Sequence, residues 1–185
     1  SSVFSISLTA PTTLAAGTKP FAVAIVDFDG DAKLDIATAN DDSGTVSVFQ
    51  NTSTSGTISF AAKADFSTGT GSGPYGIAIG DTDGDGKPDI ATANFDNRTV
   101  SLFRNTSTTG TLSFTTNLDV SSASLASPYG ISIGDLNADG KPDIVLTTGG
   151  TSNNVAILEQ KLSQSILITS ASTTAVGTLS VTLVR

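Results

Sequence analysis

Residues 74–94, Pro-Tyr-Gly-Ile-Ala-Ile-Gly-Asp-Thr-Asp-Gly-Asp-Gly-Lys-Pro-Asp-Ile-Ala-Thr-Ala-Asn, decide the fold. The opening residues alternate small or polar with apolar side chains, as a half-buried strand does. Carboxylates and glycines then crowd together for nine residues, Asp81 to Asp89. The closing Asp89-Ile-Ala-Thr-Ala-Asn94 is a short β-rich run. Two further runs follow, Thr99-Val-Ser-Leu-Phe103 and Thr111-Leu-Ser-Phe114, and each alternates as a strand should. No window of the chain shows a convincing helical period.

The same stretch recurs at residues 20–40 and 128–148, a spacing of 54 residues in each direction. Residues 20–73 and 74–127 align without a gap and are identical at 29 of 54 positions. The third copy follows the pattern through Ile144 and then drifts, with about one extra residue before Asn154 to Gln160. The division is therefore residues 1–19 (flanking strand and linker), 20–73, 74–127, 128–160 (diverged), and 161–185 (C-terminal strands). About four short strands per unit is the signature of a β-propeller blade. The expected fold is all-β: three propeller-type blades with extra strands at both ends, a partial or assembled propeller. The flanking strands are expected at Val3–Thr9, Ser165–Thr169 and Thr178–Val184.

The composition narrows the chemistry. The 185 residues include 25 Ser and 28 Thr but no His, Cys, Met or Trp. A Ser–His–Asp triad, a thiolate or imidazole metal site and a disulfide framework are all excluded. A net charge of −8 opposes nucleic-acid binding through phosphate neutralisation. The longest apolar run, Phe21 to Val26, is too short to span a bilayer as a helix.

Of the 17 acidic residues, 11 fall in three nine-residue windows. The first is Asp27, Asp29, Asp31, Lys33, Asp35 at odd positions; the second is Asp81, Asp83, Asp85, Lys87, Asp89; the third is Asp135, Asn137, Asp139, Lys141, Asp143. Side-chain oxygens thus stand at positions 1, 3, 5 and 9 of each loop. Carboxylates so close repel one another unless a cation neutralises them. Calcium, a hard ion taking about six to eight oxygens, is the natural partner. The Lys at position 7 would offer its backbone carbonyl and turn its ammonium to solvent. An EF-hand is rejected: position 12 is Thr38, Thr92 or Leu146, none a carboxylate, and strands flank the loops. About three calcium ions are expected, taking the formal charge from −8 to about −2. By carboxylate count and its two inner glycines, loop 81–89 is expected to bind best. Ala32 and Ala138 replace glycine in the other two.

The strand "PYGIAIGD", the loop "DTDGDGKPD" and the run "IATAN…TVSLFRN…G.LSF" resemble the FG-GAP/VCBS repeat of bacterial surface proteins and integrin α-chain propellers. The resemblance covers about residues 20–160. It implies blades of four antiparallel strands, with calcium held in the loop between the first and second by the residues named above. The chain departs by lacking the "GAP" cluster, and three units are fewer than a closed propeller uses. The expected role is a non-enzymatic, calcium-stabilised structural, adhesion or self-assembly module of a secreted or cell-surface protein. Its partners would be other protein chains joined by strand addition. A carbohydrate-binding propeller is the alternative, with glycans as partners, although Trp is absent and Tyr occurs only twice. Phe49, Phe103, Phe60 and Phe114 recur at the repeat and are expected between sheets, as are Phe21, Tyr75 and Tyr129. Asn51, Asn97 and Asn105 head N-x-[ST] triplets.

Overall fold

The computed structural model describes residues 10–121, 125–149 and 153–161. Eleven strands and no helix occur in them. Blade 1 comprises β1 (Pro20–Val26), β2 (Asp35–Asn40), β3 (Thr45–Phe49) and β4 (Ala64–Ser67). Blade 2 comprises β5 (Pro74–Gly80), β6 (Asp89–Asn94), β7 (Thr99–Phe103) and β8 (Leu118–Ser121). Blade 3 comprises β9 (Pro128–Gly134), β10 (Asp143–Thr148) and β11 (Val155–Leu158). Each blade is an antiparallel meander in chain order. The fold is thus all-β and built of propeller-type blades. The flanking strands expected at 3–9, 165–169 and 178–184 lie outside the described residues.

One expectation is corrected. The fourth strand is 64–67 in blade 1 and 118–121 in blade 2, not the run Thr111-Leu-Ser-Phe114 and its equivalent one repeat earlier, 57–60. The latter runs return from a narrow excursion held by the bridges Asn51↔Phe60, Thr54↔Thr57, Asn105↔Phe114 and Thr108↔Thr111. The excursion turns its aromatic residue inward. Phe114 meets Phe28 at 5.2 Å and Phe66 at 5.1 Å, both edge-on, the geometry that aromatic quadrupoles favour. The vacated sheet edge goes to a strand that alternates Leu118 and Val120 with Asp119 and Ser121. Asp119 is satisfied across the sheet by the Ser101 hydroxyl at 2.6 Å.

Period-2 alternation gives each sheet two faces, and neighbouring blades stack face to face. Ala37, Val46 and Val48 of blade 1 pack on Ile77, Ile79, Ile90 and Phe103 of blade 2. Ala91, Ala93 and Val100 of blade 2 pack on Ile131, Ile133, Ile144 and Leu146 of blade 3. The alanines of the repeated Ala-Thr-Ala run bring the sheets close without a gap. A polar ladder runs across blade 2: Thr92 to Asn94, Asn94 to Thr99 and Ser101, Ser101 to Asp119. Blade 1 repeats it from Thr38 to Asp65. Blade 3 replaces its centre with Leu146 and Ala156. Every member of the ladder is paired, so its burial leaves no orphaned polar group.

The first strands of successive blades are neighbours. Between β5 and β9 the approach is close enough to demand glycine. A Cβ on Gly76 would lie 2.4 Å from the Tyr129 carbonyl oxygen, and one on Gly80 would lie 2.7 Å from Ile133. Gly76→Ala is therefore expected to push blades 2 and 3 apart and cost about 1–3 kcal/mol. Gly134→Ala, whose Cβ meets nothing within 4 Å, is expected to be nearly neutral. Equal urea midpoints for the two variants would refute this packing. Phe49 and Phe103 are buried as expected. Phe21, Tyr75, Phe95 and Tyr129 instead form an aromatic cluster with centroids 4.3–5.5 Å apart. It is partly open: Phe21 is 54% exposed and Tyr129 42%.

Candidate metal centre

Each acidic loop leaves the end of a blade's first strand and closes at the first residue of the second. The residue at position 1 folds it. Asp27 Oδ1 accepts from the Gly30 and Asp31 amides at 2.7 and 3.2 Å, and its Oδ2 accepts from the Ala32 amide at 2.8 Å. Asp81 does the same with Gly84, Asp85 and Gly86 at 2.8, 3.1 and 2.8 Å. Asp135 accepts from Asp139 and Gly140 at 3.3 and 2.9 Å. This wrap requires left-handed backbone at positions 4 and 6. Glycine supplies it in loop 2, whereas Ala32 (φ 68°) and Ala138 (φ 61°) adopt it at a steric cost of about 1–2 kcal/mol.

Position 3 turns back in the same manner. Asp29, Asp83 and Asn137 each accept from the amide at position 5, at 3.1, 3.1 and 3.0 Å. Position 5 accepts from the lysine amide at position 7, at 2.9 Å for Asp31, 3.0 Å for Asp85 and 2.9 Å for Asp139.

Position 9 is the buried end of the loop. Asp35 and Asp89 are fully buried and Asp143 nearly so. Asp35 accepts from the Phe28 amide at 3.0 Å and the Asn51 amide at 2.8 Å. Asp89 accepts from the Thr82 amide and hydroxyl at 2.8 and 2.5 Å, and from the Asn105 amide at 2.8 Å. Asp143 accepts from the Leu136 and Gln160 amides at 3.1 and 3.0 Å. This carboxylate therefore ties the loop to the chain leaving the blade's third strand.

In loop 1, Asp27, Asp29 and Asp35 each bring a carboxylate oxygen within 4.8 Å of the others, and in loop 2 Asp81, Asp83 and Asp89 do the same. Three hard anionic oxygens at this separation fit a divalent cation of calcium's size and ligand preference. Among the described residues, no third group of this kind forms, because Asn137 takes the place of a carboxylate in loop 3. Positions 5 and 7 are placed differently from expectation. Asp31 and Asp85 stand outside the two groups. The Lys33 ammonium folds back onto Asp31 at 3.1 Å, and the Lys87 ammonium donates to the Ser107 carbonyl at 2.8 Å.

The electrostatics follow this geometry. Burial pushes the Asp35 carboxyl up, against the pull of the Asn51 and Phe28 amides, and the charges of Asp29 and Asp31 push it further. A nearby cation would relieve that penalty. Asp31 is held down by the Lys33 amide and ammonium, and Asp85 by the Lys87 amide and the Arg104 guanidinium.

Sequence reasoning missed the residues after each third strand. Asn105 Nδ2 donates to its own Pro88 carbonyl and to the Phe28 carbonyl in the loop of blade 1, both at 2.9 Å. Gln160 reaches from blade 3 to the Thr82 carbonyl at 3.0 Å. Successive acidic loops are thus clamped to each other. The clamp also removes Asn105 as a glycan acceptor in the folded chain, since it is 1% exposed with its amide nitrogen committed. The recurrence of Asn51 and Asn105 at the repeat period was the signal for it.

No curated protein matches the chain at a significant level. The FG-GAP-like repeat matches residues 27–92 and again 81–146, together 120 of the 185 residues. Such repeats are typical of extracellular adhesion and structural modules. Both matches begin at position 1 of an acidic loop and run into the second strand of the next blade, so the structural repeat and the sequence repeat coincide: the chain belongs to the FG-GAP-like repeat family.

Proposed function

We propose that the chain is a calcium-stabilised, non-catalytic structural module of a secreted or cell-surface protein. Its role is adhesion or assembly. The observation that carries this reading is the convergence of Asp27, Asp29 and Asp35, and again of Asp81, Asp83 and Asp89, at the joints between strands. The carboxylates sit where they organise turns, and backbone amides already occupy much of their capacity, which suits a structural ion better than an acid–base pair. Extracellular modules hold calcium at about 0.1–1 mM, within reach of loops such as these. Among the described residues, no helix is long and apolar enough to cross a membrane.

Assembly is supported by the outer faces of the stack. Val23 and Ile25 of blade 1 are 65% and 63% exposed, and Val155 and Ile157 of blade 3 are 65% and 59% exposed. By the repeat, Val23 and Ile25 hold the slots of Ile77 and Ile79, which pack on a preceding blade. Val155 and Ile157 lie on the opposite type of face, the one that receives a following blade. The two faces are complementary, and a second copy joins them head to tail.

Native mass spectrometry with and without calcium tests both parts. The expected spectrum shows about three calcium ions per chain and a multimer. No bound calcium would overturn the metal reading, and a monomer at micromolar concentration would overturn assembly.

A further inference from the structure

The residue directly after the third strand differs in character between blades: Gln50, Arg104 and, past the one-residue insertion, Glu159. In every blade it reaches position 3 of that blade's metal loop. Gln50 Nε2 donates to Asp29 Oδ2 at 2.7 Å. The Arg104 guanidinium pairs through Nε with Asp83, and through Nη2 with Asp85 at 3.0 Å. Glu159 Oε1 accepts from Asn137 Nδ2 at 3.2 Å, while its other oxygen pairs with Lys161 at 3.2 Å. One slot therefore presents a neutral amide, a cation or an anion to three loops of otherwise similar backbone.

From this geometry we infer that the residue after the third strand tunes each loop's affinity for its divalent cation, with Arg104 making loop 2 weaker than loop 1. The inference rests on the calcium reading above and deepens it. Arg104 does two things to the ion in loop 2. It occupies oxygens of Asp83 and Asp85, and it places a positive charge beside the site. A divalent ion meets twice the repulsion that a unit charge would, moderated by solvent because Arg104 is half-exposed. Glu159 acts in the opposite sense. It places a negative charge beside Asn137, although its other oxygen is engaged by Lys161 and no group of three carboxylates forms in loop 3. Gln50 leaves loop 1 uncompensated, and a neutral amide is readily displaced from Asp29. The order is then loop 1 ahead of loop 2. This reverses the order expected from carboxylate count and the two inner glycines of loop 2.

The test is a calorimetric calcium titration of the chelator-treated full chain. Asp81→Asn identifies the binding step that belongs to loop 2, and Asp27→Asn identifies that of loop 1. Arg104→Gln, which copies blade 1, is expected to tighten the loop 2 step by about tenfold and leave the other steps unchanged. Gln50→Arg is expected to weaken the loop 1 step by a similar factor, and covers the case in which Arg104→Gln perturbs folding. Calcium binding in which Arg104→Gln moves the loop 2 step by less than about twofold would overturn this inference and leave the calcium reading standing. No calcium heat from any loop would overturn both.

Discussion

In calcium at a hundredfold excess over the dissociation constants of loops 1 and 2, the protein is expected to melt about 11–22 °C above its midpoint in EDTA. Each ion that binds only the folded chain adds about 2.7 kcal/mol at that excess, and the ions of loops 1 and 2 together add about 5.4 kcal/mol. A chain of this size shifts by about 2–4 °C per kcal/mol. The direction follows from the loops themselves. Folding brings Asp27, Asp29 and Asp35 together, and the unfolded chain does not. Without an ion that mutual repulsion opposes folding. The comparison is a pair of thermal scans at equal ionic strength, with magnesium in place of calcium as the control for general screening. Coincident midpoints in EDTA and calcium would rule out a structural ion.

Asp89→Ala is expected to cost about 3–5 kcal/mol even in EDTA. The Asp89 carboxylate is fully buried and satisfies the Thr82 amide and hydroxyl and the Asn105 amide. Alanine leaves those donors unpaired where water is scarce, at about 1–3 kcal/mol apiece before relaxation. The clamp on Phe28 then loosens too, because Asn105 is held in place by the lost bond. Asp89→Asn keeps one acceptor oxygen and is expected to lose about half as much. Asp85→Ala removes a carboxylate of equal formal charge from the same loop, but a half-exposed one bonded to Lys87 and Arg104, and is expected to stay within about 1 kcal/mol of wild type. Urea denaturation of the three variants in EDTA separates the roles. A cost below about 1 kcal/mol for Asp89→Ala would show that position 9 serves the metal alone.

The blades and loops were legible because the repeat is nearly literal. "DIATAN" twice in register places two second strands, and the odd-numbered carboxylates place the turns before them. The fourth strand was not legible, because two four-residue runs per unit alternate equally well. Thr111-Leu-Ser-Phe114 even has the better β-formers. What decides between them is Phe114, whose ring is worth more against Phe28 and Phe66 than at a sheet edge. The division of labour among the loop acids was hidden for a different reason. Positions 1, 3, 5 and 9 look alike on paper, but Asp89 is addressed by Asn105 and Asp85 by Arg104, groups 16 and 19 residues downstream. Carboxylate count is local, whereas the environment of each carboxylate is set by the strand that returns beside it.

The two apolar cores are separate, one joining blades 1 and 2 and the other joining blades 2 and 3. The stack therefore behaves as a linear chain of units with nearest-neighbour coupling, and its stability is a sum over two interfaces. Blade 2 alone contributes to both terms. Loss of blade 3 forfeits one interface and leaves the other intact, so local opening beneath the global transition proceeds by fraying inward from an end. Amide exchange is then slowest in β6 and β7, whose two faces are both covered, and fastest in the outer strands. Every blade added in line contributes one more interface of the same kind, and a repeat protein built this way gains length without having to redesign a core.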